Sequence, residues 1–369
     1  MKKKKIFFIT YKKPSKNTAG SKAPDDIASI CRQCGFNEVF MPPFPQDKCT
    51  IYKKLWLMTR GVFSWIKLYN SIPKGAVVFY QHPSYGYRII IRFVDLLKKR
   101  KNCKFVALIH DLESLRGGIA GVINARESTN HIGDDVLLKK FDYIICHNEK
   151  MKQYLIDRGF SADRLICLEI FDYLNDCDFV SVEKDPKASI AIAGNLAVGK
   201  CEYIYKICEN QNNSNLTINL FGINYDESRA SQQMDYHGSF KPDELPSYLK
   251  GRYGLVWDGT SSDSCVGNTG EYLKYNNPHK TSLYLSSGMP VIIWDKAALS
   301  SFVKKNNVGI TVSSLNGLDN ALNSISEEEY DKMVSNTRIV AEKIRNGQYF
   351  KAAFKKAICK IKDLSYYKN

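Results

Sequence analysis

The run His110-Asp111-Leu112-Glu113, closely followed by Arg116-Gly117-Gly118, puts an imidazole and two carboxylates at the end of the apolar stretch Phe105 to Ile109. A group that takes a proton from a substrate hydroxyl needs a titratable side chain held at the edge of a pocket, and neighbouring glycines let backbone lie close to a substrate. An aspartate that only caps the next helix would explain Asp111 or Glu113 singly, but not the whole group. Asp111 is the first choice for a general base, Glu113 the second and His110 the third. Arg116 and Gly117 are expected beside the acceptor of the reaction.

Three other stretches have the residue types that meet an anion. Ile192-Ala193-Gly194-Asn195, with Lys200 just beyond, joins a glycine-turned strand end to a cation. Asn277-Pro278-His279-Lys280-Thr281-Ser282-Leu283 reads as a helix start, whose free N–H groups, hydroxyls and lysine can converge on a pyrophosphate. A structural helix start needs only one capping residue. Asn17-Thr18-Ala19-Gly20-Ser21-Lys22 is a small-residue loop that matches no known phosphate-binding glycine pattern, so it is weaker evidence.

Metal chemistry finds little support. Asp176-Cys177-Asp178 spells an acidic D-x-D pair, but it falls among turn formers rather than beside a strand end. Cys31-Arg32-Gln33-Cys34 has no second pair and falls in a helical stretch; His82, His131, His147 and His237 lack ligand spacing. No metal and no bound cofactor are expected.

The elements that must position these residues are short apolar runs, each followed by a helical stretch. In the first half they are Lys5 to Thr10, Val77 to Gln81, Phe105 to Asp111 and Tyr143 to Asn148. In the second they are Ser189 to Asn195, Leu216 to Gly222, Gly254 to Asp258, Pro290 to Trp294 and Gly309 to Val312. Continuous apolar strands are the mark of a parallel sheet covered on both faces, and ligands then lie beyond the strands' carboxyl ends. The expected fold is α/β, with two Rossmann-like doubly wound domains facing across a cleft. Its divisions are residues 1–170, a linker at 171–188, a second domain at 189–335 and C-terminal helices at 336–369. These last helices, broken at Asn346-Gly347, are expected to cross back onto the first domain.

With 369 residues and 44% hydrophobic content, the chain can bury two cores, which excludes a disordered or fibrous protein. The 11 cysteines are odd in number and scattered through apolar runs, as reduced thiols are, and the start is too short in apolar residues for a secretory signal. Both features point to the cytoplasm. Residues 1–170 hold 30 of the 53 Lys and Arg but 15 of the 38 Asp and Glu, so all of the net charge of +15 sits there. Such asymmetry suggests an anionic partner, a membrane face or a nucleic acid, against the plainer reading of a solvated lysine-rich surface. No nucleic-acid motif accompanies it, so nucleic acid is not expected. Ile51 to Tyr69 mixes Trp56, Phe63, Trp65 and Ile66 with Arg60 and Lys67. It reads as an interfacial helix or as a core helix with a cationic outer face, and base rates favour the core helix.

Taken together, Ala19-Gly20-x-Lys22, His110-Asp111 with Leu115-Arg116-Gly117-Gly118, His147-Asn148, Ile170-Phe171-Asp172-Tyr173-Leu174, Ala193-Gly194-Asn195-Leu196, Phe221-Gly222-x-Asn224-Tyr225, Trp257-Asp258-Gly259 and Tyr272 through Leu285 resemble bacterial GT-B glycosyltransferases. The pattern is most similar to β-1,6-galactofuranosyltransferases of O-antigen synthesis. More distantly it resembles the tetrameric glucosyltransferases that extend sugars on serine-rich streptococcal adhesins.

The resemblance implies a UDP-sugar donor held mainly by the second domain. Pro278, His279, Lys280, Thr281, Ser282 and Leu283 would surround the phosphates beside Asn277, with Gly194 and Asn195 near them and Phe240 near the uracil. Ser21 would touch the donor from the first domain, and Gly20 and Lys22 would lie on the acceptor side. Where the adhesin enzymes carry an arginine this chain has Val198, so Lys200 is expected to supply that charge. The implied activity is inverting transfer of galactofuranose to a glucosyl 6-hydroxyl in cell-surface polysaccharide synthesis. The implied partners are a glycan acceptor, in particular a lipid-linked one at the anionic inner membrane face, and further copies of the chain. UDP-glucose-dependent glucosylation of a glycoprotein is the rival activity, and a non-catalytic nucleotide-sugar or nucleic-acid binding protein is the rival class.

Overall fold

The structure is a computed structural model that describes residues 5–11, 19–41, 50–83, 86–118, 132–182 and 185–366. Asn17, Thr18 and His131 lie outside the described residues. The first sheet contains β1 (Ile6–Tyr11), β2 (Asn37–Met41), β3 (Val77–His82), β4 (Lys104–Ile109), β5 (Tyr143–Cys146) and β6 (Leu165–Cys167), ordered β2-β1-β3-β4-β5-β6. The second contains β7 (Ser189–Asn195), β8 (Thr217–Ile223), β9 (Met234–Tyr236), β10 (Tyr253–Val256), β11 (Val291–Trp294) and β12 (Gly309–Val312), ordered β12-β11-β10-β7-β8-β9. Every pairing is parallel.

Parallel pairing forces each connection to cross a face of the sheet, and helices do so here. In the first half these are α1 (Lys22–Gln33), α2 (Ile51–Ser71), α3 (Tyr87–Lys101), α4 (Glu113–Gly118) and α5 (Glu149–Asp157). The central strands are buried on both faces, which is why Phe79, Phe105, Ile190 and Ile292 are fully enclosed. Strand order reverses between β1 and β3 in the first sheet and between β7 and β10 in the second. These are the points at which the carboxyl edge of such a sheet opens into a crevice.

The break at Asn346 and Gly347 separates the helices Glu327–Arg345 and Gln348–Tyr366. The second of these returns to the first sheet, where Phe350 and Phe354 pack on Phe79 with ring centres 5.0 and 5.5 Å apart. Both carboxylate oxygens of Asp172 accept from its first backbone amides, Tyr349 N–H at 3.1 Å and Phe350 N–H at 2.7 Å, which caps the helix. Among the described residues, no helix is long and apolar enough to cross a membrane.

Candidate active site in the interdomain cleft

A cavity of about 370 Å³ opens at the reversal point of the second sheet. β7 and β8 run side by side to its floor with Gly194 opposite Gly222. A side chain at Gly222 would place its Cβ 1.7 Å from the Gly194 carbonyl, so only glycine permits this approach. The end of β7 is further fixed by Ala193 N–H, which donates to the buried Tyr284 hydroxyl at 2.8 Å. Of the residues singled out in the sequence, Gly194, Asn195, Lys200, Phe240, His279, Lys280 and Leu283 line this cavity from the second domain.

Lys280 begins the helix His279–Ser286 and is the best anchored of these. Its ammonium donates to Trp257 O at 2.8 Å and lies 3.2 Å from Asp258 Oδ2. Burial opposes its charge, but its surroundings, Asp258 foremost, together more than offset this and hold its pKa above the ordinary lysine value, so it stays a cation. Lys200 has no salt-bridge partner among the described residues, which leaves its charge for a ligand. Phe240 stacks on Tyr248 with centroids 4.1 Å apart. His279 stacks on Tyr173, and burial lowers its pKa to about 4, so at neutral pH it is an uncharged ring.

Several expectations need correction. Asn277, Pro278, Thr281 and Ser282 are buried and do not line the cavity. The Asn277 side chain accepts from Asn148 Nδ2 at 2.7 Å and donates to the carbonyls of His147 and Glu169, while its N–H donates to His147 Nδ1 at 2.9 Å. The Ser282 hydroxyl donates to Phe171 O at 2.7 Å. These side chains fasten the two domains together, and they turn inward because a helix start presents successive residues to different sides.

Gly20 and Lys22, expected on the acceptor side, line this cavity from the first domain. The Lys22 ammonium reaches Asp26 at 2.7 Å, Leu174 O at 2.8 Å and Asp243 at 2.6 Å. Its three donors are therefore spent clamping α1 to the second domain. Ser21 precedes α1 at the same edge but is not part of the cavity lining. Asp258, Tyr173 and Phe221 line it although no role was read for them in the sequence. For Asp258 the available signal was a carboxylate just past a strand end, inside a stretch already marked as distinctive.

The first-domain group lies at the carboxyl end of β4, outside that cavity. Arg116 in α4 pairs with Glu113 at 2.9 Å and with Asp111 at 3.6 Å, and Gly117 continues the same helix. Tyr272, reaching across from the second domain, hydrogen-bonds the Asp111 carboxylate and accepts from Leu112 N–H at 3.0 Å. Burial raises the Asp111 pKa to about 6, partly offset by Arg116. A carboxylate poised near neutrality and still one-third exposed can exchange a proton with a bound hydroxyl. His110 stacks on Phe171, and its Nε2 is 2.7 Å from Gln81 Oε1. Among the described residues there is no cluster of three or more metal-ligating side chains.

Two parallel six-stranded α/β domains with a cavity between them make the GT-B fold. The chain belongs to the glucosyltransferase 3-like family: residues 5–170 match its N-terminal domain and residues 190–357 its C-terminal domain. It is 36% identical over 278 residues to the beta-1,6-galactofuranosyltransferase WbbI of Escherichia coli (strain K12), covering 75% of this chain and 76% of that one. It is 23% identical over 347 residues to glucosyltransferase 3 of Streptococcus gordonii, covering 92% and 94%. Among solved structures, the lipopolysaccharide outer core galactosyltransferase WaaB matches with a TM-score of 0.59 at 13% identity over 96% of this chain and 99% of that one. An alpha-glucosyltransferase in complex with UDP matches with 0.56 at 11% over 97% and 99%. Identities this low speak for the fold alone.

Proposed function

We propose that this glycosyltransferase transfers galactofuranose from UDP to the 6-hydroxyl of a glucosyl acceptor, with inversion and without a metal ion, in cell-surface polysaccharide synthesis. The observation that carries the donor reading is the anchored Lys280 at a helix N-terminus on the wall of a cavity large enough for a nucleotide sugar. The choice of galactofuranose rests on the relative at 36% identity.

Asp111 takes the proton from the acceptor hydroxyl as that oxygen attacks the anomeric carbon from the face opposite the diphosphate. The bond from the anomeric carbon to UDP breaks, and its electron pair leaves on the β-phosphate oxygen. The developing charge meets Lys280, Lys200 and the N–H groups that open the helix, groups already in place before reaction. Glu113, tied to Arg116, is the alternative base.

The test is a donor screen with UDP-galactofuranose, UDP-galactose and UDP-glucose against simple glucosides in excess EDTA, reading UDP release and the linkage of the product. A β-1,6-linked galactofuranoside is the expected product. Turnover with UDP-glucose alone would establish the glucosyltransferase activity instead, and activity only after Mn²⁺ addition would return Asp176 and Asp178 to the site.

A further inference from the structure

α2 is about 30 Å long at 1.5 Å per residue, and its two sides differ sharply. Trp65 and Leu68 are buried on one side, where Trp65 stacks on Phe93 of α3. Ile51, Tyr52, Leu55, Trp56, Phe63 and Ile66 are exposed, Tyr52 by 84% and Phe63 by 71%. At 100° per residue these six fall within an arc of about 140°, which Trp65 borders and Leu68 lies well outside. α2 therefore meets the core-helix expectation on the side of Trp65 and Leu68, while the opposite side, where a cationic outer face was expected, is apolar and points to solvent. Aromatic side chains in a continuous exposed stripe of this kind mark a surface that is covered in use.

Charge identifies what covers it. Arg60 and Lys67 border the stripe, with Arg60 lying over the Trp56 ring at 4.5 Å, and α2 carries no acidic residue. The adjoining α3 adds exposed Arg88, Arg92, Lys99 and Arg100. Pairing this face with its own copy across a two-fold axis would press like charges together. An anionic bilayer instead takes up the apolar side chains in its headgroup region and satisfies the cations with lipid phosphates.

We propose that α2 is a membrane-docking helix that lies in the plane of an anionic lipid surface. Its position gives the docking a direction. α2 connects β2 to β3, two strands that both run parallel to β1, so it returns antiparallel to them and its first turns lie at the sheet's carboxyl edge. Asp111 follows β4 at that same edge. The apolar turns Ile51 to Trp56 thus bring the bilayer to the mouth of the cleft on the acceptor side. The inference is independent of which sugar is transferred.

Flotation of the full chain with vesicles tests it, using phosphatidylcholine alone and with one third replaced by phosphatidylglycerol. Binding to the anionic vesicles should exceed binding to neutral ones by about tenfold or more and fall as salt rises past physiological strength. The double variants Trp56→Ser/Phe63→Ser and Arg60→Glu/Lys67→Glu should each lose about tenfold in partitioning, the first on the apolar term and the second on the charge. All altered side chains are exposed, so thermal unfolding and turnover on a soluble acceptor should stay as in the parent. Equal partitioning onto both vesicle types, or full binding by either variant, overturns the proposal. A wild-type oligomer in light scattering that Trp56→Ser/Phe63→Ser dissociates would assign the face to a second copy and overturn it equally.

Discussion

The two walls of the cleft are built in opposite ways. On the second-domain wall Lys280 is half-buried, paired with Asp258 and bonded to Trp257 O, so its position is fixed before any ligand arrives. On the first-domain wall Asp111 is still one-third exposed, and its strongest partner, Arg116, is itself half exposed and shared with Glu113. A diphosphate presents the same charge whichever sugar it carries, and a cation held in place suits it. A proton acceptor must reach substrate and solvent, and a buried ion pair would hold it too firmly ionised to work near neutrality. On the proposed function, the difference between the walls is a division between holding the donor and reacting with the acceptor.

The strongest way to break this division is Asp111→Asn, which keeps the size and hydrogen bonding but cannot accept a proton. Turnover should fall by roughly 10² to 10⁴. If Glu113→Gln shows that loss while Asp111→Asn is near normal, the two roles are exchanged. The pH profile sharpens the same point. Burial places the Asp111 pKa at about 6, and only the ionised form is a base, so turnover should climb through about pH 6 and level off above it. Below it the rate should drop by about tenfold per pH unit. A profile flat from pH 5 to 8 would remove Asp111 from the proton transfer.

A smaller effect separates holding the donor from holding the domains. Asn277→Ala deletes the buried bridge to His147, Asn148 and Glu169, so stability should fall by about 1–3 kcal/mol while UDP affinity stays unchanged. Thermal unfolding and UDP titration on the same sample check both. Smallest of all, Tyr272→Phe removes a hydrogen bond that lowers the Asp111 pKa, so the rising limb of the profile should move to slightly higher pH. Movement to lower pH would contradict the contact.

How much of this was legible in the sequence follows from where each feature sits. The central strands were readable because burial on both faces demands continuous apolar runs: Ser189–Asn195 and Gly309–Val312 begin and end where periodicity places them. The unread strands β2, β6 and β9 are all sheet edges. β2 opens with Asn37 and Glu38, and β6 and β9 have three residues each, so neither composition nor length marks them. Lys280 and Asn277 lie in one short stretch of anion-binding residue types, but residue type does not record direction. Only the packed joint shows that one faces the cavity and the other His147. Likewise Lys22 has the chemistry of a ligand-binding cation, and the partners that consume it, Asp243 and Leu174 O, are remote in sequence.

The contrast between the two walls depends on whether the cavity around Lys280 holds the nucleotide. Calorimetric titration of UDP into the full chain, its Lys280→Ala variant and its Asp111→Asn variant compares the two walls directly. Loss of a charge-assisted contact should weaken binding to Lys280→Ala by about 2 kcal/mol or more, with Asp111→Asn binding as the wild type does. Unchanged UDP affinity in a folded Lys280→Ala variant, or loss of affinity in Asp111→Asn alone, would contradict it.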